Sequence, residues 1–280
     1  MRIESVNNRP VKVYPTSFGV NLNSQKLFFK EDDFYVQIKG YGHNSGWAGK
    51  IKETADKTVN FIREKCSFED ALKIVVKGVT EANQFSSDVE KRIHTGNLRV
   101  KREGWEQGPS WWTDLMTNYS NKRKCRYRIY SNRLDYTVTN PLKNPYNDIS
   151  LTRPRHDRDI GKFLDHGDAK YIDNAFNHIN KIYDNLYENY ILKEAKEENL
   201  ADINSSIAEI KWILAHATPW ERGSDAISNT FIRSIYKAIG IKTYPLKRGI
   251  SLDLEAYCTN LDEYKNKFAS YFSKKPKIIN

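Results

Sequence analysis

The stretch ILAHATPWERGSDAISNTFIRSIYKAIGI, residues 213–241, joins two helical patterns through one polar elbow, TPWERGSD at 218–225. After the elbow, Ile227, Phe231, Ile235 and Ile239 form one apolar stripe, and Gly240 ends it as a C′ glycine. Before the elbow, DINSSIAEIKWILAHA supplies another helix, with Ile207, Ile210 and Leu214 in register. Gly223 and Ser224 begin the second helix, with Ser224 as N-cap and Asp225 in its first turn. The N–H groups of that helix start, with Arg222 beside them, suit a phosphate, whose oxygens match the planar guanidinium fork. An ordinary capped turn with a solvated arginine fits the same residues, and the elbow alone leaves both readings open.

Working outward, DHGDAKYIDNAFNHINKIYDNLYENYILKEAKEENL carries Ile172, Phe176, Ile179 and Tyr183 on one face and reads as a long helix. IKETADKTVNFIREKC and SFEDALKIVVKGVTEANQF have helical spacing from Ile51 onward, and Ser67 with Asp70 forms a capping box before the second of them. LDLEAYCTNLDEYKNKFASYF reads as a final helix. The first forty residues read as strands, RYRIYSNRLDYTVTNPL as a hairpin, and NPYNDISLTRPRHDRDIGK as an irregular basic connection. The expected architecture is mostly α (α+β): a helical bundle over 51–275 with a small β edge, preceded by a β-rich extension at 1–50.

At 39% hydrophobic and 29% charged residues, the 280-residue chain has a globular composition with enough length to bury a real core. Its net charge of +10 is spread along the chain, with SNKRKCRYR as the one dense basic run, so it reads as solubility rather than nucleic-acid binding. Cys66, Cys125 and Cys258 form no C-x-x-C pair, which argues against zinc and disulfide frameworks and for a reducing compartment. No stretch reaches membrane-spanning length, and MRIESVNNRP has neither a signal-peptide core nor a glycine at position 2 for myristoylation. Export through a dedicated secretion machine needs neither.

Asp165 and His166 form a second constellation, in which an aspartate beside a histidine orients or charges the imidazole, or simply caps a helix. His216, just before the elbow, and Asp253, opening the last helix, each have an ordinary structural reading as well. GHNSGWAGKI at 42–51 is not a P-loop, because Asn44 stands where the first glycine belongs and Ile51 where Ser or Thr would hold magnesium. The histidines show no metal-ligand spacing, so no metal is expected.

The elbow resembles the signature loop of the Fic/Doc (Fido) superfamily, His-Pro-Phe-x-x-Gly-Asn-Gly-Arg, with Thr218, Pro219, Trp220 and Gly223 at matching places. Thr218 stands where that family has its catalytic histidine, so the base for AMP transfer is missing. TPWERGS is more similar to the AvrB family of bacterial avirulence effectors, a divergent branch of the same fold. That likeness runs through RGSDAISNTFIRSIYKAIGIKTYPLKRGISLDLEAY and DHGDAKYIDNAFNHINKIYDNLY, over about 158–272. It implies a Fido-type bundle whose pocket takes a nucleotide or a UDP- or dTDP-linked sugar, and no prosthetic group. It also implies an effector without a cleavable signal, acting in a host cytosol and glycosylating a host protein with a deoxyhexose such as rhamnose.

Carried over residue by residue, the resemblance makes Arg222 and Arg158 phosphate ligands, helped by Gly223 and Ser224, and makes His166 or Asp253 the proton acceptor. Thr95, or else Thr139, takes the place of a pocket threonine. The segment between the hairpin and Arg158 is shorter than in the plant-pathogen protein, which bears on the target. Two rival functions use the same pocket: AMP or UMP transfer, and nucleotide binding without catalysis by an effector that holds a host kinase or chaperone.

Overall fold

The computed structural model describes residues 29–34, 45–100, 104–106, 142–157 and 161–279. The chain is mostly α, as expected, with short antiparallel strands. Helix α1 (Ser45–Arg63) packs on α2 (Phe68–Asn83), which Ser67 caps by accepting from the Asp70 amide while its hydroxyl donates to the Asp70 carboxylate. The two helices approach closely at Gly78, where a Cβ would lie 2.1 Å from Thr54 Oγ1. A short α3 (Val89–His94) follows, then α4 (Ile172–Leu186), whose chain runs on through a π-turn at Tyr187–Ile191.

The centre of the molecule is α5 (Leu200–Ala217), buried on nearly all sides over its second half, and its partner α6 (Ser224–Ile239). Burial all round is what an apolar run such as IKWILAHA dictates. Phe68, Tyr183 and Phe231 interlock in the core with Phe176 at their edge, the Phe68 and Phe231 rings meeting edge to face at 5.7 Å. Gly240 closes α6 with φ 96°, as its position in the pattern requires, and Arg63 Nη2 donates to the Lys237 carbonyl there.

Several sequence expectations change. Helix α1 starts at Ser45, inside the stretch discarded as a P-loop. Glu31–Phe34, read as strand, is a 3-10 turn that buries Phe34, with Phe29 buried just before it. The connection read as irregular contains strands β2 (Arg153–Asp157) and β3 (Gly161–His166), which with β1 (Gly104–Glu106) make a sheet in the order β1-β3-β2. Asp165 and His166 therefore end a strand instead of entering a helix, and Asp168 caps the 3-10 turn that leads into α4. The single final helix is two, α7 (Leu252–Cys258) and α8 (Leu261–Lys267), broken where Thr259 and Asn260 adopt extended backbone, and a 3-10 turn at Phe268–Tyr271 follows. A two-stranded ribbon pairs β4 (Ile241–Lys242) with β5 (Lys277–Ile278). The expected N-terminal strands before residue 29 and the hairpin strands up to residue 141 lie outside the described residues.

Candidate functional site

The elbow is held in place by a segment far away in sequence. Residues 95–99 run alongside it: Glu221 N donates to Asn97 O at 2.8 Å, Arg99 N to Pro219 O at 2.9 Å, and Gly96 N to Arg222 O at 3.2 Å. Thr218, at the end of α5, has φ 37°, an unfavourable left-handed setting for a β-branched residue. Three groups over-determine that conformation. Arg99 Nε donates to Thr218 O at 2.6 Å, and Arg99 Nη2 to Ala217 O at 2.9 Å and Gly167 O at 2.7 Å. The Thr218 hydroxyl lies 3.0 Å from Thr152 Oγ1 and 3.1 Å from His166 Nδ1. Trp220 is buried against Phe176 and anchors the middle of the turn.

Gly223, at φ 85°, is the N-cap residue of α6, and Ser224 is the first helical residue. This corrects the capping assignment: Ser224 Oγ turns back to donate to Trp220 O at 3.2 Å, tightening the elbow. The glycine is required twice, by its left-handed backbone and because a Cβ would lie 2.9 Å from Thr95 Cγ2.

The elbow opens onto a cleft of about 830 Å³ between α1, the end of α2, α3 and the start of α6. Arg222, Gly223 and Ser224 line it, with Lys50 and Lys91 as further cations and Trp47 and Phe85 as aromatic walls. Lys50 Nζ lies 5.3 Å above the Phe85 ring, and Trp47 Nε1 donates to Asn83 Oδ1 at 2.8 Å. Thr95 does not line the cleft but stands behind it. Its buried hydroxyl donates to Lys91 O at 2.6 Å and accepts from Asn83 Nδ2 at 2.9 Å, so it braces the wall that faces Arg222.

Asp225 also lines the cleft, and behind it lies a buried charge cluster. Lys211, fully buried in α5, donates to Asp225 Oδ1 at 3.0 Å and pairs with Asp253 Oδ1 at 2.6 Å. Burial would strip the ammonium of its proton, but the two carboxylates outweigh it and hold the Lys211 pKa above its ordinary value. Asp253 is pushed up to about 7 by burial, reinforced by the negative charge of Asp225 and opposed by Lys211. A lysine between two aspartates leaves one negative charge too many in a buried place, and a proton on Asp253 near neutral pH relieves it.

His166 lies on the other side of Thr218. Burial, followed by the positive charge of Arg99, pushes its pKa down to about 4 against the pull of Asp165, so its imidazole is neutral at pH 7. His216 is buried with its ring nitrogens 3.1 Å from the carbonyls of Thr152 and Ala256, a structural setting inside the core. Among the candidate residues, then, Arg222, Gly223 and Ser224 share the cleft wall and Thr95 supports it. Asp253 is joined to the cleft through Lys211 and Asp225, and His166 adjoins the first residue of the elbow. Arg158 and Thr139 lie outside the described residues.

Lys211 and Arg99 were not singled out in the sequence. Lys211 carried a usable signal as the lone charge in IKWILAHA, because a charged residue in an apolar helix is buried only with partners. Arg99, whose carbonyl partners on the elbow are 118 and 119 residues away, carried none. Among the described residues no group of three or more His, Cys, Asp or Glu side chains is arranged to hold a metal ion, and no helix is long and apolar enough to cross a membrane.

Comparison with known proteins agrees with the likeness seen at the elbow. The AvrB/AvrC avirulence protein family matches residues 131–275, which include the elbow, Lys211 and Asp253. Avirulence protein B of Pseudomonas savastanoi pv. glycinea is 32% identical over 107 residues, covering 38% of this chain. The match spans 31% of the length of that relative.

Proposed function

The chain belongs to the AvrB/AvrC family of avirulence proteins, and we propose that it is a bacterial effector acting in the host cytosol as a glycosyltransferase. Its donor is a nucleotide-diphosphate sugar, UDP- or dTDP-linked, and its acceptor a hydroxyl on a host protein. The observation that carries this reading is the cleft itself, where Arg222 and the glycine-led start of α6 adjoin two aromatic walls and two further lysines. Aromatic rings suit a nucleobase or a sugar face, and the cations suit a diphosphate.

In the transfer, the acceptor oxygen bonds to the anomeric carbon as the bond from that carbon to the diphosphate oxygen breaks. The nucleoside diphosphate leaves with the bonding electrons, and the acceptor proton passes to a protein carboxylate. Arg222 and the α6 amides stabilise the charge that builds on the leaving group. The Asp225–Asp253 pair takes the proton, since a carboxyl near 7 is matched to that task at neutral pH. His166 near 4 is the weaker base and serves to orient Thr218. Thr218 in place of a histidine makes AMP or UMP transfer the less favoured use of the same cleft.

The test is intact-mass analysis of acceptor proteins after incubating the effector in host lysate with nucleotide sugars, or with ATP and UTP. A gain of deoxyhexose mass supports the reading. A nucleotide-sized gain, or tight nucleotide binding with no gain, replaces it with one of the two rivals. Arg222→Ala is expected to lower transfer by about a hundredfold, the scale of losing one charge-stabilising donor. Because the base must be unprotonated, kcat/KM is expected to rise with pH through an apparent pKa near 7 and to level off above it. A flat profile from pH 6 to 8 would remove the aspartate pair from the proton step.

A further inference from the structure

The fold gathers cations that the sequence scatters. Residues 240–251 contain Lys242, Lys247 and Arg248 and no acidic residue, and residues 271–279 contain Lys274, Lys275 and Lys277 and again no acidic residue. The two segments run antiparallel against each other. Strands β4 and β5 set Lys242 directly opposite Lys277, Leu246 bridges Phe272, Lys247 N donates to Tyr271 O at 2.9 Å, and Ser273 N to Pro245 O at 2.7 Å. Lys242 Nζ and Lys274 Nζ lie 5.5 and 5.7 Å from the centre of one half-buried ring, that of Tyr244. Lys247 and Arg248 are exposed in the turn that Ile250 N closes by donating to Lys247 O at 3.1 Å. Among the described residues none of the six cations forms an ion pair. Like charges directly opposite across a ribbon destabilise it, so the Lys242–Lys277 pair is a cost that folding alone does not explain.

The chemistry of the patch narrows its partner. Five of the six cations are lysines, compact charges on flexible stems that suit a diffuse negative field. Recognition of particular carboxylates in an acidic peptide favours the planar fork of arginine, and only Arg248 supplies one. Lysines beside a half-buried tyrosine suit the boundary between water and lipid headgroups. The ribbon also follows the end of α6, whereas the elbow precedes its start. Sixteen residues of helix, about 24 Å, separate the two, so a surface held at the ribbon does not compete with the cleft. We propose that the β4–β5 ribbon and the turn at Lys247 and Arg248 form a docking surface for an anionic lipid membrane. The protein then lies on the membrane by charge, without crossing it. Vesicle binding needs no nucleotide or acceptor, so this surface is independent of the transferase reading.

Flotation of the full chain with two kinds of vesicle tests it: phosphatidylcholine alone, and phosphatidylcholine with about one third phosphatidylserine. Binding should require phosphatidylserine and vanish in about 1 M salt, where charges are screened within about 3 Å. Replacing Lys274, Lys275 and Lys277 together by glutamine should weaken it about 150-fold, and Lys247→Gln with Arg248→Gln about 30-fold, at the attraction expected per cation near such a surface. The strand variant relieves the Lys242–Lys277 repulsion and should melt no lower than the wild type; if it unfolds early, the turn variant alone decides. Replacing Lys73, Lys77 and Lys193 by glutamine removes as much charge elsewhere and should leave binding unchanged. An equal loss in that control would assign binding to net charge and overturn the proposal, as would no binding of the wild type to the anionic vesicles. Stronger binding to polyglutamate than to those vesicles, at equal negative charge, would make the partner an acidic protein and overturn it as well.

Discussion

Lys211→Met is expected to destabilise the fold by about 3–5 kcal/mol at pH 8, the range for removing one partner from a buried ion pair. The methionine fills the lysine's space, so little of the loss is packing. What is lost is the one positive charge between Asp225 and Asp253, which leaves the buried Asp253 carboxylate beside that of Asp225 at the cleft wall. The defect should shrink at pH 5, and the sign follows from Asp253. Its folded value near 7 lies above the ordinary 3.8, so the folded state favours the protonated form. In the wild type this contribution is fullest below about 4 and is lost as the pH rises through 7. Without Lys211, whose charge opposes the rise, the Asp253 carboxyl binds its proton still more readily, so at pH 5 the variant sheds the buried charge and recovers part of its stability. Urea denaturation at the two pH values measures this. A defect equal at pH 5 and pH 8 would mean that the lysine acts through its shape and not its charge. Converting Asp225 and Asp253 to asparagines in the Lys211→Met background should return most of the loss, because replacing all the charges of a buried cluster costs far less than stranding some of them.

The helices around the elbow were legible because their signals are local. The stripe Ile227, Phe231, Ile235 and Ile239, the glycine at 240 and the Ser67–Asp70 box each act within a few residues. Strands β2 and β3 were hidden because RPRHD and GKFLDH offer little apolar alternation, and Pro154 argues against a strand by its missing N–H. The break between α7 and α8 was hidden for the opposite reason. Leu254, Tyr257, Leu261, Tyr264 and Phe268 all turn into one core, so the apolar spacing runs on across the kink.

At the elbow, the residue types drew attention to Arg222 and the helix start. Sequence alone placed the cap on Ser224 because serine is the commoner N-cap, whereas the left-handed backbone of Gly223 takes that position. The resemblance put Arg222 and Asp253 in one site. What joins Asp253 to the cleft that Arg222 lines is Lys211 on a third element, through Asp225, and no spacing between Arg222 and Asp253 can reveal it.

Arg99→Met is expected to cost about 3 kcal/mol, a few charge-assisted hydrogen bonds less what water restores. The guanidinium donates to the carbonyls of Ala217, Thr218 and Gly167, so its loss strands the last carbonyls of α5 and frees the left-handed Thr218. A second readout separates this from general loosening. The positive charge of Arg99 is one of the causes, after burial, that hold His166 near 4, so the variant's histidine should titrate higher while staying below the ordinary 6.5. Because the folded value is depressed, the contribution of His166 to stability is present above about 6.5 and is lost as the pH falls toward 4. With a higher His166 pKa the variant loses less on acidification, so its deficit against the wild type should be smaller at pH 4.5 than at pH 7.5. Denaturation at both pH values and an NMR titration of the His166 ring measure the two effects. Arg99→Lys separates their causes: an ammonium keeps the charge that holds His166 low but cannot span three carbonyls. That variant should therefore retain the depressed histidine while losing most of the stability, and a lysine that restores both would show that charge alone holds the elbow.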